Sequence, residues 1–381
     1  MLEDFERTRI ASFFARIVDH NKAAPETPDP HVSTVAVTHV LAGQLFFLHA
    51  VAALSDLRAV LPKPRSVDPE AAREAAELWQ VDELDRATFA TAEHALAYLE
   101  SRTPDERVVL LDVGGYFAPS LDEVCAGFSG QILGVVEGTE NGHRRYLARD
   151  ELPCPVYSVA RSPLKDPEDY LVGQSVVFST EALIRARGDL LYGLGAAVLG
   201  FGKLGSSVAR MLHSRGIQVT VFDIDPVKRA QALAQGFTTV STLDKALYGA
   251  GIVVCATGNR ALGPDDFPRV GNGAYIASVT SSDDELRLDG LGELYNREAV
   301  GEGITRYART GHYFYVLNDG NAVNFLHGAN SGAFIYLVQA EILAAAARLM
   351  RLSHEPDLHE LPDDVREQVA AIWLEFFNAP G

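Results

Sequence analysis

Cysteine is scarce in this chain: 381 residues include three, Cys125, Cys154 and Cys255. Three is an odd number, and none stands at metal-ligand spacing from another. Neither a disulfide framework nor a metal site is therefore expected, and a reducing, cytoplasmic compartment is the simplest expectation. Positive charge is also short. Lys and Arg number 33 against 51 Asp and Glu, a net charge of −18, which argues against nucleic acid or an anionic membrane as a partner, since both need a basic face. No apolar run is clean enough to span a bilayer. The greasiest stretch, 332–350, contains Gln339, Glu341 and Arg348 and reads as a packed helix. The first residues, MLEDFERTRI, are acidic and charged, unlike a signal peptide. No repeat or low-complexity tract stands out.

What the chain does have is apolar material in alternating blocks. Apolar residues make up 47%, and 381 residues suffice for two domains with their own cores. Phe5, Ile10, Phe13, Phe14 and Ile17 recur on one side of a helix over 1–20. A proline-rich loop (24–30) leads to the strand VSTVAVTHV and a helix over 42–54, and 60–70 (VLPKPRSVDPE) reads as a loop. VVLLDVGG (108–115) and QILGVVEGT (131–139) read as buried strands, so the first 150 residues form an α/β domain. From 195 the alternation sharpens: strand GAAVLG, helix LGSSVARMLHSR stopped by Gly216, strand IQVTVFD, then a helix opened by Pro226 and closed by Gly236. The strand TTV, the helix TLDKALYGA and the strand GIVVCATG follow. This order predicts a parallel, doubly wound sheet. The tail, 335–379, is predicted mostly helical.

Gly200-Phe201-Gly202-Lys203-Leu204-Gly205 fits G-x-G-x-x-G in the context that gives the pattern meaning: an apolar strand before it, a helix opening within it, and a second strand ending in Asp223. Gly200 permits the tight turn, and Gly205 lets helix and strand pack closely. Gly202 lets the backbone approach a pyrophosphate seated on the helix N-terminus, where Lys203 and Leu204 lie. Asp223 would accept hydrogen bonds from the adenosine ribose hydroxyls, and its charge would repel a 2′-phosphate, so NAD is expected rather than NADP.

Several segments in order resemble S-adenosyl-L-homocysteine hydrolase. VLGFGKLGSSVA…VFDIDP is similar to that family's NAD loop, and GIVVCATGN (251–259) to its Thr-Gly-Asn cofactor segment, here Thr257, Gly258 and Asn259. LNDGNAVNF (317–325) resembles its late segment, which implies that Asn324 faces the nicotinamide amide. LLDVGG, GVVEGTENG and SPLKDPEDYLVG match upstream segments, and the likeness runs from about 33 to 375. The resemblance implies tightly bound NAD that oxidises a ribose 3′-alcohol. The ketone acidifies the neighbouring C–H, the thiol is eliminated, water adds, and the stored hydride returns. It sets Lys165 and Asp169 beside the oxidised alcohol, His39 on the substrate side, and Thr139, Glu140 and Asn141 on the family's three NAD-contacting threonines. The i, i+4 spacing of Lys165 and Asp169 shares one face if the segment is helical, against which Pro163 and Pro167 work. His39 reads equally as a structural histidine.

Departures from the family's pattern narrow the reading. Val113 and Gly138 stand where the family has acids, Ser281 replaces an active-site histidine, and a second histidine is missing near Asn330 and Ser331, with His327 close by. Leu41 and Gly43 stand where Thr and Glu read adenine, so discrimination for adenine is expected to fall. Lys63 and Arg65 either meet an anionic group or are solvated loop charges. The chain stops at LEFFNAPG, without the family's Lys/Tyr-bearing tail, which implies a less enclosed cofactor. The expected fold is α/β with two domains: a substrate domain over 1–185, with 341–381 packing back on it, and a Rossmann NAD domain over 186–340. The expected protein is a homo-oligomer, dimer or tetramer, acting on a small nucleoside- or sugar-like substrate. Three activities fit: oxidation of a different secondary alcohol, S-adenosylhomocysteine hydrolysis, or silent NAD binding in a regulator. A 2-hydroxyacid or alanine dehydrogenase relative shares the two-domain plan, but no Arg and His–carboxylate pair can be assigned for it.

Overall fold

The computed structural model describes residues 3–23, 31–280, 285–328 and 331–378. The proline-rich loop 24–30, Ser281 and Asn330 lie outside the described residues. Two compact units emerge, Met1–Lys165 with Ala333–Gly381, and Asp166–Gly332. The helix Asp166–Ala186, placed by the sequence reading with the first domain, counts with the second unit.

The first unit holds β1 (Val32–Val40), β2 (Asp56–Val67), β3 (Arg107–Asp112), β4 (Gln131–Glu137) and β5 (Val156–Ser158). They pair in parallel in the order β5-β4-β3-β1-β2, and the two-residue strand Leu358–His359 adds itself beyond β5. Such a sheet is covered on both faces, so its strands are apolar without alternation. Val108, Leu110 and Val135 pack with Ala95, Leu99, Leu121 and Val124 on one face. Val109, Leu111 and Val136 point the other way, to Phe13, Ile17, Leu48, Leu343 and Leu349. Each fully buried Leu or Val of this kind stabilises by about 1.5–3 kcal/mol. The tail supplies two of the covering helices, Phe334–Arg351 and Asp363–Phe377.

The loop expected over 60–70 is corrected by β2. Its prolines 62 and 64 lack amide donors, but β2 is the edge strand with β1 as its neighbour, so donors are needed on one side only. A register shift between Thr38 and Val40 takes up the irregularity.

The second unit contains β6 (Gly195–Leu199), β7 (Val219–Phe222), β8 (Thr238–Val240), β9 (Ala250–Cys255), β10 (Tyr275–Ser278), β11 (Asn296–Gly301), β12 (Ile304–Arg309) and β13 (His312–Leu317). The order β10-β9-β6-β7-β8 is parallel throughout, with crossovers on both faces, as the alternation predicts. An antiparallel ribbon, β11-β12-β13, extends that sheet through a parallel β13–β10 pairing, which the sequence reading did not anticipate. Among the described residues no helix is long and apolar enough to cross a membrane.

Candidate functional site

In the second unit the glycine-rich turn links β6 to the helix Lys203–Ser214. Gly200 has φ +94°, and a Cβ on it would stand 2.5 Å from the carbonyl oxygen of Ala256. A Cβ on Gly205 would stand 2.0 Å from the Gly200 oxygen. Both positions therefore exclude any other residue. Gly202, at the N-cap, is different: a Cβ there meets nothing within 4 Å. The approach to the amides of Lys203, Leu204 and Gly205 is thus open, and these first helical N–H groups have no partner within the helix. Asp223 follows β7. Its carboxylate accepts from the amides of Phe201 (2.7 Å) and Asp225 (2.9 Å), tying the turn to the second strand. Each oxygen keeps a second lone pair for a ribose hydroxyl.

Thr257 and Gly258 follow β9 and are held by a carboxylate the sequence reading missed. Buried Glu285 accepts from the Thr257 hydroxyl and the Gly258 amide, both at 2.7 Å. Burial pushes its pKa up, against the pull of these donors. The Asn259 amide donates to Thr257 Oγ1, and its side chain is exposed. Asn324 is buried, and its Oδ1 has no hydrogen-bond partner among the described residues. An orphaned amide oxygen is costly unless a ligand donor satisfies it. Together with the open Gly202 turn, it fits a dinucleotide carrying a carboxamide.

Lys165 and Asp169 do not share a helical face. Lys165 ends the 3₁₀ turn Pro163–Lys165, and Asp169 lies in the first turn of the helix Asp166–Ala186. Pro167 sits within that first turn, where its missing N–H costs nothing. Lys165 belongs to the first unit and Asp169 to the second. Asp169 is buried, with Oδ2 3.9 Å from Lys203 Nζ.

In the first unit His39 lies near the C-terminal end of β1. Its Nδ1 is closed to solvent, and burial together with the charges of Lys63 and Lys165 holds its pKa well below the usual imidazole value. His39 is therefore neutral at pH 7, with Lys63 and Lys165 near it. The Lys165 turn is fixed from beneath. Buried Ser162 accepts from the Leu164 amide at 3.1 Å, its carbonyl accepts from Lys165 N at 3.1 Å, and its hydroxyl donates to Glu341. Arg366 compensates that buried glutamate at 3.1 Å.

Two further carboxylates escaped the sequence reading. Glu137 ends β4 fully buried and accepts from the amides of Gly114, Gly138 and Thr139 and from the Thr139 hydroxyl. Burial and the nearby Asp112 charge push its pKa up to about 8, while Thr139 and Lys63 pull the other way. Asp112 accepts from Tyr116 N, Phe117 N and the Tyr146 hydroxyl. Both lie at strand ends and shape the Gly114–Gly115 turn, so their signal in sequence was an acid closing an apolar run. Thr139 also caps the helix Glu140–Leu147 by accepting from Gly142 N. Glu140 pairs with Arg144 and Arg161, and Asn141 is half-buried in the first turn. At Gly138 the nearest side chains are apolar, while its amide donates to Glu137. A Cβ on Gly138 would face Ile342 at 3.3 Å, Val159 at 3.8 Å and Val113 at 3.9 Å. Among the described residues no group of His, Cys, Asp and Glu is arranged to hold a metal ion.

Residues 170–330 match the protein family described as S-adenosyl-L-homocysteine hydrolase, NAD binding domain. The dinucleotide of the second unit is accordingly NAD. Over 256 residues the chain is 31% identical to an adenosylhomocysteinase of Pyrococcus abyssi, a match covering 64% of this chain and 60% of that protein. It is 30% identical over 261 residues to an S-inosyl-L-homocysteine hydrolase of Methanopyrus kandleri, with the same two coverages. The chain thus spans about 60% of the length of the curated relatives it matches. Among solved structures, a dipicolinate synthase component from Bacillus halodurans gives a TM-score of 0.45 at 12% identity, over 84% of this chain and 98% of that one.

Proposed function

We propose that the chain is a divergent member of the S-adenosyl-L-homocysteine hydrolase family, to which its matches point, and that it oxidises a secondary alcohol of a nucleoside-, sugar- or polyol-like substrate with NAD, at a specificity different from that of its relatives. The feature that carries this reading is the polar cluster of the first unit: His39, whose pKa is held down first by burial and then by nearby Lys63 and Lys165. NAD, when bound, supplies the hydride acceptor. Lys165, whose turn is held in place through Ser162 and Glu341, takes the hydroxyl proton as the unprotonated amine. His39 hydrogen-bonds the same hydroxyl and orients it. Gly200, Gly202, Lys203, Leu204, Gly205, Asp223, Thr257, Gly258, Asn259 and Asn324 hold the cofactor, and Thr139, Glu140 and Asn141 are assigned to it from the resemblance.

Gly138 and Val113 carry no carboxylate of their own, which supports an altered reaction. The two relatives bear names that differ in their purine, adenosyl and inosyl, which supports variable base recognition around Leu41 and Gly43. The same names favour a second reading, hydrolysis of an S-nucleosylhomocysteine by this chain. A small-molecule substrate and a homo-oligomeric assembly belong to the proposal.

The test is an absorbance scan at 340 nm of purified protein with NAD. It is challenged with S-adenosylhomocysteine, S-inosylhomocysteine, adenosine and a panel of nucleosides and sugars, and products are separated by chromatography. NADH accumulating with an alcohol, and lost in Lys165→Ala, is the expected result. Release of a nucleoside from either homocysteine conjugate establishes the second reading instead. NAD binding with no turnover on any compound favours a regulator, and turnover intact in Lys165→Ala overturns the role given to that lysine.

A further inference from the structure

The cation in the glycine-rich turn has more than one claimant. Lys203 is the first residue of its helix, directly after the open Gly202. Its Nζ lies 2.8 Å from Asp166 Oδ1 and 3.9 Å from Asp169 Oδ2. Both carboxylates sit in the first turn of the helix Asp166–Ala186, so two helix N-termini meet beside one lysine. The two helices are locked together. Ser207 Oγ donates to the Tyr170 carbonyl at 2.6 Å, and a Cβ on Gly173 would stand 2.3 Å from Ser207 Oγ. The spacing between the turn and the carboxylates therefore cannot relax by sliding one helix along the other. Each N-terminus carries a partial positive charge, which Asp166 and Asp169 complement on one side and a pyrophosphate complements on the other. Lys203 joins the two, because its side chain leans toward its own helix N-terminus.

We propose that Lys203 is a shared counterion, for which Asp166 and Asp169 compete with the pyrophosphate of NAD. Cofactor binding draws Lys203 toward the pyrophosphate and leaves Asp169 with more uncompensated charge. The linkage is reciprocal: whatever strengthens the Lys203–carboxylate pair weakens NAD binding, by the same factor. Asp169 dominates the competition, since it is 10% exposed while Asp166 is 63% exposed and strongly screened. The competition rests on the NAD reading above and not on the catalytic one.

The test is a double-mutant cycle on NAD affinity, measured by calorimetric titration at low salt on the full chain, with thermal melting to establish folding. Lys203→Met is expected to weaken NAD about 10-fold, the loss of one charge-assisted contact. Asp169→Asn is expected to tighten it about 3-fold, Asp166→Asn less, and the Asp169→Asn gain is expected to vanish in the Lys203→Met background. A role confined to stapling the helices together predicts instead that Lys203→Met and Asp169→Asn shift melting alike and leave NAD affinity alone, and that result overturns the proposal. Weaker NAD binding in Asp169→Asn overturns it too. Failure of the unmutated chain to bind NAD at all removes the cofactor reading, and this proposal with it. Absence of turnover on every alcohol would remove only the catalytic reading.

Discussion

Gly202 and Gly205 stand three residues apart in one motif, yet their replacement by alanine should damage the protein in opposite ways. Gly202 has φ −74° and ψ −163°, backbone that any residue adopts, and a Cβ there meets nothing within 4 Å. Gly202→Ala should therefore change stability by less than about 1 kcal/mol, the entropy gained from a stiffer unfolded chain offsetting a slightly poorer helix cap. Its methyl group instead occupies the approach to the helix amides. Loss of one or two charge-assisted hydrogen bonds costs about 3 kcal/mol, so NAD affinity should fall ~100-fold. In Gly205→Ala the new Cβ would be 2.0 Å from the Gly200 oxygen and 2.9 Å from its carbonyl carbon. Strand and helix must part by more than an ångström, a core distortion costing about 3–5 kcal/mol. At roughly 2–4 °C per kcal/mol, melting of that unit should drop by ~6–20 °C. Calorimetric titration with NAD, beside thermal melting without it, measures both effects. A Gly202→Ala protein that binds NAD like the parent, or a Gly205→Ala protein that melts like it, would refute the reasoning.

Other perturbations follow from the same geometry. In Gly142→Ala the new Cβ would lie 1.7 Å from Glu137 Oε2, and urea denaturation should show a loss of about 3–5 kcal/mol. Arg366→Met strands the buried charge of Glu341 and should cost about 3–5 kcal/mol, part of which Glu341→Leu in the same chain should recover. His39 has its pKa lowered by burial and by Lys63 and Lys165. Its contribution to stability is thus complete above about pH 6.5 and is lost as pH falls from there through the folded-state value. His39→Asn should flatten that acid limb when melting is compared at pH 5 and 7.5. Cys125 is half-buried, and its thiol is lowered by the Cys154 S–H and Arg149, whereas burial raises Cys255. Iodoacetamide should label Cys125 first and Cys255 last, as mass spectrometry of partially labelled protein can establish.

Much of the fold was legible because its signals are local. The strands of the second unit are apolar runs bounded by glycines, and the helices between them carry their own start and stop residues, such as Pro226 and Gly216. The segment 60–70 was misread because two prolines usually break a strand. Only the sheet order shows that this strand is an edge, where donors on one side are dispensable. The ribbon β11-β12-β13 and the strand Leu358–His359 were missed for a related reason: their pairing partners lie far away in sequence, or the run is too short to carry a period. Lys165 and Asp169 were paired by resemblance, and their i, i+4 spacing would have set them on one face only within a single helix, whereas the helix begins between them.

The sequence by itself determined the parallel order of the cofactor unit, the glycines of its turn and the acid that closes its second strand. Each of these depends on backbone conformation or on a period read over a few residues. Only the tertiary structure decided which polar groups act together. Glu285 reaches Thr257 and Gly258 across 28 and 27 residues, Glu341 reaches the Lys165 turn across about 180, and burial, with Lys63 and Lys165 from distant segments, holds His39 neutral. Burial and electrostatics depend on distance in space, and a residue's neighbours in space are fixed by how the sheets and helices close around it.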